Sequence, residues 1–383
     1  MKVLFRGWIV TILLFAHFSV LAHRDSTIRS VTAPVGSCSF YSGVYLRHSP
    51  KLTTRTGQRV PGGEFSLDWA TTGKYDWHLA HRLPSFGAAI IWQNPGAGAH
   101  GQITGFLPHL TLPLFRFPNW GGFFRVGTGV AYAQSPHSSF DNPGENALGS
   151  HFNNITQFRL GVTGVIKNHW SLGAGVKLTH FSNGGYEQPN FGMNIPGFYA
   201  SAGYVPVKAT FFPKNRIISK KNVSRRWGAA FQSSAARIEY VSVDGPKYLL
   251  WAASGAATFM VHRFNRAYAG VEVEHNNGVE AWLFNNTLLG NSRAEARRGA
   301  RRLGIFVADE FLFGPLGIYL QASYHVGRAP LNTFAIANNY NKLAARYYFT
   351  IHQKSGLKTH LGVSLKAYKA VAESISITTG LLF

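Results

Sequence analysis

Residues 170–194 read W-S-L-G-A-G-V-K-L-T-H-F-S-N-G-G-Y-E-Q-P-N-F-G-M-N. The first part of this stretch has a period of two, which is typical of a β-strand with one apolar and one polar face. His180 and Ser182 continue the apolar face, and Asn183 with a Gly-Gly turn ends the strand. If the apolar face meets lipid, these two polar side chains are costly there, which indicates a function. The apolar face before them is formed by Trp170, Leu172, Ala174, Val176 and Leu178.

The same alternation recurs along the chain, for example around Phe158, in 315–326 and in 372–383. One sequence leaves strand boundaries uncertain by several residues, so we expect about 14 strands within a range of roughly 12 to 16. The alternating segments fall near 39–47, 63–71, 86–94, 101–112, 121–133, 155–166, 169–182, 196–207, 226–241, 247–263, 266–275, 301–312, 315–326, 344–353, 356–367 and 372–383.

Composition and connections favour a membrane barrel over a soluble sandwich. The chain of 383 residues contains 41 glycines, and only 14% of all its residues are charged. Beyond the N-terminus, the sequence contains no apolar run of transmembrane-helix length. Tight turns such as Gly314-Pro315 alternate with long polar segments at 134–154, 183–195, 208–225 and 276–300. This pattern predicts an all-β fold, a transmembrane antiparallel outer-membrane β-barrel with short periplasmic turns and long external loops.

The two ends of the chain agree with export to the outer membrane. Residues 1–22 combine basic residues, an apolar core and a small-residue cleavage site, which predicts a secretory signal peptide. We expect residues 23–383 to form a single barrel domain in the bacterial outer membrane. The last amphipathic strand ends on Phe383, as in the insertion signal of outer-membrane barrels. Cys38 is the only cysteine, so an intrachain disulfide is excluded.

His180 and Ser182 suggest nucleophilic chemistry. Side chains at i and i+2 share one strand face, where an imidazole nitrogen can take the proton of a serine hydroxyl. An attacked ester carbonyl needs donors aimed at the developing oxyanion, and the Asn183, Asn190 and Asn154 amides are candidates. The alternative is a polar rim at the water interface, because such rims are rich in Ser, His and Asn.

Two short motifs resemble a known family. H-F-S-N-G-G at 180–185 followed by P-N-F-G at 189–192 is similar to the signature of the lipid A 3-O-deacylase family, the PagL-type outer-membrane hydrolases. The segments 124–132 and 146–153 are similar to parts of longer barrels usually grouped with it, including acyloxyacyl hydrolase-like barrels. The resemblance implies a carboxylic ester hydrolase that removes an acyl chain from lipid A, with Ser182 as nucleophile, His180 as base and Asn190 in the oxyanion hole.

The chain departs from the family pattern in two ways. The resemblance implies an acid as the third member of the triad, and this position falls on Asn194 here. Either Glu187 substitutes for the acid, the triad works with an asparagine, or the activity is weak. The small members of the family form eight-stranded barrels, whereas this chain has material for more strands. The rival hypothesis is therefore a non-enzymatic barrel, either a porin or an inactive relative of the hydrolases.

The net charge of +22 fits an anionic lipid partner, either lipid A within lipopolysaccharide or a phospholipid. Nucleic acid is disfavoured by export and by the absence of a recognisable binding module. The sequence indicates no cofactor and no metal site, since the histidines are dispersed and H-E-x-x-H and C-x-x-C are absent. It leaves the oligomeric state open. Two predicted loops contain clusters of basic residues that could bind lipid phosphates: Arg216, Lys220, Lys221, Arg225 and Arg226 in one loop, with Arg293, Arg297, Arg298, Arg301 and Arg302 in a second. The alternative is that these side chains are only solvated and bind no phosphate.

Overall fold

The structure, a computed structural model, describes residues 28–30, 34–96, 101–166, 169–205, 210–212, 226–240, 242–327, 338–353, 355–368 and 371–383. In this part of the chain every strand pairing is antiparallel. The helices within the same ranges are all too short or too polar to cross a membrane. The expected signal peptide, residues 1–22, lies outside the described residues.

The strands occur in two groups along the chain, with three short helices in the connections. The first group is β1 (Ile28–Ser30), β2 (Val35–Val44), β3 (Arg59–Ala70), β4 (Ser85–Gln93), β5 (Ile103–Arg116), β6 (Trp120–Ala133), β7 (Phe152–Ile166), β8 (Trp170–Ser182) and β9 (Met193–Tyr204). The second group is β10 (Thr210–Phe212), β11 (Trp227–Glu239), β12 (Lys247–His262), β13 (Asn265–Asn276), β14 (Arg301–Phe313), β15 (Leu316–Val326), β16 (Asn339–His352), β17 (Leu357–Tyr368) and β18 (Val371–Leu382). The helices are α1 (Asp76–Ala80), α2 (Asn277–Asn285) and α3 (Arg293–Gly299).

Strands β2 to β9 form a first closed barrel of eight strands. The last strand, β9, pairs with the first, β2, so that Gly43 lies opposite Gly197. A Cβ atom on Gly197 would lie 2.7 Å from the Cα of Gly43 and 2.5 Å from the Ser42 carbonyl oxygen. The closing seam therefore uses glycine where the two backbones approach most closely.

Strands β11 to β18 form a second closed barrel of eight strands, in which β18 pairs with β11. The all-β barrel fold is confirmed, and each of the sixteen alternating segments overlaps one barrel strand. The sixteen barrel strands of the described residues lie at the upper end of the expected range of 12 to 16, but they form two closed barrels of eight strands rather than one. The physical reason is that alternation fixes which face of a strand is apolar, whereas closure depends on which strand meets β2, a contact remote in sequence.

The faces of both barrels have the polarity of membrane-spanning barrels. Outward side chains are apolar and exposed, as for Trp170 and Leu172. Inside the first barrel, the Glu64 carboxylate accepts from Arg125 at 2.5 Å and also pairs with Arg159. Inside the second, Lys342 Nζ lies 2.6 Å from a Glu272 carboxylate oxygen. An eight-stranded barrel is narrow enough for side chains to fill its interior, and these ion pairs occupy the described interiors of both barrels.

The two barrels contact each other at both ends. We call the end where β8 finishes, at Ser182, the upper rim, and the end where β8 begins, at Trp170, the lower rim. At the lower rim, α1 contacts the second barrel, since Asp76 forms an ion pair of 3.0 Å with Arg263. A ring nitrogen of His81 is 3.0 Å from the carbonyl oxygen of Leu312 in the same region. The upper contact involves the chain that follows Ser182.

The connection between the two barrels is described at its two ends. Residue 205, at the end of β9, is bonded to His169 at the start of β8, so it lies at the lower rim. Arg226 precedes β11, whose other end, Glu239, lies at the upper rim beside residues 185 and 188. Both described ends of the connection, residue 205 and Arg226, therefore lie at the lower rim, and most of the expected loop 208–225 lies outside the described residues.

Candidate active site

Strand β8 presents His180 and Ser182 on its outward face at the upper rim, in the same alternating series as Trp170. The β7–β8 hairpin pairs His180 with Thr156 and Ser182 with Asn154. The alternate residues of the strand, Thr179 and Phe181, belong to the lumen and are fully buried. The two polar groups therefore lie together on the outer wall.

His180 is held by a residue of the next strand. Asn194 lies directly opposite it in the β8–β9 pair, and its side-chain oxygen Oδ1 is 2.8 Å from the imidazole Nδ1. With the amide assigned in this orientation, Nδ1 carries the proton and donates it to Oδ1. The other ring nitrogen, Nε2, then has a free lone pair, which is the form of histidine that can act as a base.

Ser182 is held by the loop that follows it, residues 183–192, here called the site loop. The side-chain nitrogen of Asn190 donates to Ser182 Oγ at 2.9 Å, and the backbone N–H of Gly184 donates to it at 3.1 Å. The side chain of Ser182 is buried, with 2% exposure. Its hydrogen bonds to described residues do not include one to His180, so the hydroxyl faces two donors rather than the base.

Asn183 orients Asn190 rather than pointing at the serine. Its backbone N–H donates to Asn190 Oδ1 at 3.1 Å, which directs the Asn190 nitrogen toward Ser182. Its own amide nitrogen donates to Ser150 Oγ at 3.0 Å and to the Glu187 carbonyl at 2.8 Å. The prediction of the Asn183 side chain as an oxyanion donor is thus not supported by this geometry, because both amide hydrogens are directed away from Oγ.

Glu187 lies in the site loop but does not bond to His180. Its carboxylate is 3.5 Å from Nζ of Lys247, a residue of the second barrel. Of the two alternatives for the group behind the histidine, the structure therefore brings Asn194, not Glu187, to the imidazole.

A glycine determines where the imidazole sits. Gly192 has φ +78°, and a Cβ atom there would lie 2.9 Å from Cε1 of His180. The ring therefore packs directly on the backbone at this position. Only glycine combines this left-handed conformation with the absence of a side chain.

Two groups at the site were not assigned a role from the sequence. One is the backbone N–H of Gly184, whose φ of +63° turns it back toward Ser182 Oγ. The Gly184-Gly185 pair that follows Asn183 was the available signal. The other is Lys247, a residue of β12 that is remote from the site loop in sequence and reaches it only because the two barrels touch. No local pattern indicates such a contact.

Of the predicted phosphate-binding group, only Arg226 lies within the described residues. Arg226 is exposed at the lower rim, roughly 40 Å from the upper rim given the length of β11. Arg216, Lys220, Lys221 and Arg225 lie outside the described residues. The second basic group is at the upper rim, because α3 connects the upper ends of β13 and β14. Its exposed members are Arg293, Arg297, Arg298 and Arg301.

Family models match each barrel separately. The model described as lipid A 3-O-deacylase (PagL) matches residues 62–202, which include His180, Ser182 and Asn194. The resemblance to the lipid A 3-O-deacylase family is confirmed. The model described as acyloxyacyl hydrolase, C-terminal domain, matches residues 227–383, the whole second barrel. Together with the membrane barrels, this family match makes the chain a bacterial outer-membrane protein.

Solved structures give more distant likenesses. The crystal structure of the outer membrane enzyme PagL is 20% identical, with a TM-score of 0.30, and the match covers 46% of this chain and 100% of that one. The KdgM porin is 8% identical, with a TM-score of 0.17, over 73% of this chain and 92% of that one. A Rhodopseudomonas blastica porin variant is 8% identical, with a TM-score of 0.19, over 92% and 99%. A search of curated protein sequences finds no match.

Proposed function

We propose that the chain is an outer-membrane serine esterase that removes an ester-linked acyl chain from lipid A or a related lipid, with Ser182 as nucleophile and His180 as base. The observation that carries this proposal is the 2.8 Å hydrogen bond between His180 Nδ1 and Asn194, which leaves Nε2 free two residues from Ser182 on the outer wall. The match of the first barrel to the lipid A 3-O-deacylase model supports the same chemistry.

The reaction begins with rotation of the Ser182 hydroxyl from Asn190 toward His180. The Oγ–H bond breaks as its proton passes to Nε2, and Oγ forms a bond to the ester carbonyl carbon. The negative charge on the carbonyl oxygen is stabilised by the donors that Ser182 releases, the Asn190 amide and the Gly184 N–H. Collapse of the tetrahedral intermediate breaks the ester C–O bond, and His180 donates the proton it took from Ser182 to the leaving alkoxide. Water then hydrolyses the acyl-enzyme by the same steps.

Asn194 orients the ring and accepts from the imidazolium that forms during the reaction. A neutral amide oxygen stabilises that cation less than a carboxylate would, so we expect slower turnover than a carboxylate would allow. Because Ser182 is 2% exposed, side chains around it must move before the ester reaches Oγ.

The substrate's anionic groups fit the charge of the upper rim. The exposed arginines of α3, Arg293, Arg297 and Arg298, lie at the same rim as Ser182 and suit the phosphates of lipid A. Phospholipid headgroups share this chemistry, and the choice between the two lipids is part of the test.

The deciding experiment is mass spectrometry of lipid A and phospholipids from cells that express the wild-type chain or Ser182→Ala. We expect wild-type cells to contain lipid A that lacks one acyl chain, and Ser182→Ala cells to retain it. Ser171→Ala, on the same strand at the lower rim, is the matched control and should behave as wild type. Identical lipid acylation in all three strains, with the proteins folded and inserted, would instead favour an inactive relative of the family.

A further inference from the structure

The site loop is in contact with the second barrel along its middle section. The carbonyl oxygen of Gly185 accepts a hydrogen bond of 2.8 Å from the backbone N–H of Glu239, the last residue of β11. The backbone N–H of Gln188 donates to the carboxylate of the same glutamate at 2.5 Å. One residue of the second barrel thus holds the loop at two points, between Ser182 and Asn190.

The carboxylate of Glu239 is itself fixed. Its side chain is buried, and Lys247, its cross-strand partner on β12, donates to it at 3.1 Å. Lys247 also lies 3.5 Å from the Glu187 carboxylate and 4.9 Å from the centre of the Tyr186 ring. Glu239 and Lys247 together therefore fix the position of residues 185–188.

Two glycines bring the loop directly against the wall of the second barrel. A Cβ atom on Gly184 would lie 2.6 Å from the side chain of Ile375 on β18. A Cβ atom on Gly185 would lie 2.6 Å from the carbonyl oxygen of Glu373. Both glycines also have positive φ, +63° and +72°, a conformation that residues with a side chain rarely adopt. A side chain at either position would therefore displace the loop from the second barrel.

We propose that Glu239 is a positioning residue for the active site, through which the second barrel holds the Gly184 N–H and Asn190 on Ser182. This inference rests on the proposed esterase function, although the mechanical link can be measured without activity. Glu239 contacts neither Ser182 nor His180, so its effect passes through the site loop. A displacement of about 1 Å in the donors that stabilise the oxyanion is enough to lower the rate by about a hundredfold.

The test compares three variants of the full chain in detergent or liposomes. Glu239→Ala removes the acceptor for the Gln188 N–H, and we expect kcat for deacylation of purified lipid A to fall about tenfold to a hundredfold with little change in KM. Glu239→Gln keeps an acceptor oxygen for the Gln188 N–H and should stay within about fivefold of wild type, because a charged acceptor is replaced by a neutral one. Ser139→Ala removes a different contact between the barrels at the upper rim, the 3.1 Å hydrogen bond to Asp244, and should keep the wild-type rate.

Hydrogen exchange of the site loop gives the second measurement. The amides of Asn183 and Gly184 donate to Asn190 and Ser182, so their exchange reports whether the loop stays on the nucleophile. We expect faster exchange at both amides in Glu239→Ala and unchanged exchange in Ser139→Ala.

The two measurements separate the two proposals. If wild-type protein hydrolyses no lipid A, the esterase proposal fails, and the exchange rates alone decide the positioning role. If the folded Glu239→Ala variant keeps the wild-type kcat, or wild-type exchange at Asn183 and Gly184, the positioning role is overturned. Should Glu239→Ala fail to insert, Lys247→Met, which removes the cation that holds the carboxylate, is measured in the same two ways.

Discussion

The Asn194 side-chain oxygen lies 2.8 Å from Nδ1 of His180, in the position where a hydrolase triad has its acid. Strand pairing causes this contact, because the two residues are direct partners in β8 and β9. An amide there fixes the tautomer of the imidazole and leaves the imidazolium without a nearby anion.

Substitutions of Asn194 test this arrangement. Asn194→Asp should raise kcat for lipid A deacylation by up to about tenfold, because hydrogen bonds to charged groups exceed neutral ones by about 1 kcal/mol. Asn194→Ala should lower kcat by at least about tenfold, since the ring loses the partner that orients it. Initial rates on purified lipid A measure both changes. A wild-type rate in Asn194→Ala would show that the contact has no part in turnover.

Gly192→Ala should disable the site without unfolding the barrel. The added Cβ would lie 2.9 Å from the His180 ring, so the ring must move, and we expect a rate loss of about tenfold or more. The matched control is Gly57→Ala, since Gly57 has a similar φ of +83° and nothing within 4 Å of its added Cβ. Both variants carry a backbone strain of about 1 kcal/mol. If the two lose activity equally, backbone strain rather than displacement of His180 is the cause.

Glu187→Gln should have a small effect on turnover. The Glu187 carboxylate pairs at 3.5 Å with Lys247 and not with His180, and both side chains of this pair are partly exposed. Such ion pairs contribute about 0–1 kcal/mol, so we expect a change in kcat below about fivefold. A loss as large as that in Asn194→Ala, measured in the same assay, would identify Glu187 as the group that acts on the histidine.

The sequence was sufficient for features that depend on local alternation. The outward placement of His180 and Ser182 and the pairing of Ser182 with Asn154 follow from a period of two and a short hairpin, and the structure has both. These features need only neighbouring residues along the chain.

Features that depend on contacts between residues distant in sequence could not be predicted from the alternation of apolar and polar residues. The closure of β9 on β2 joins Gly43 to Gly197, and the division into two barrels follows from that seam. The partner of Glu187 is a lysine of the other barrel, which no spacing within the site loop indicates. The direction of the Asn183 amide likewise depends on Ser150, a residue of another loop.

Glu64 should be a principal source of stability in the first barrel. Its carboxylate accepts from Arg125 at 2.5 Å and from Arg159, and all three side chains are buried in the lumen. Glu64→Gln removes the negative charge and leaves two buried guanidinium groups uncompensated, which costs about 3–5 kcal/mol. We expect the variant to unfold from detergent micelles at a lower urea concentration than wild type. The folded fraction at each urea concentration is measured from the heat-dependent mobility shift of the folded barrel in gel electrophoresis. Asp141→Asn, at an exposed loop position, is the control and should keep the wild-type midpoint. Equal midpoints for the two variants would mean that water in the lumen screens the charges of the two arginines. The stability of the barrel would then come from its strand pairing and its apolar outer face, not from this ion pair network.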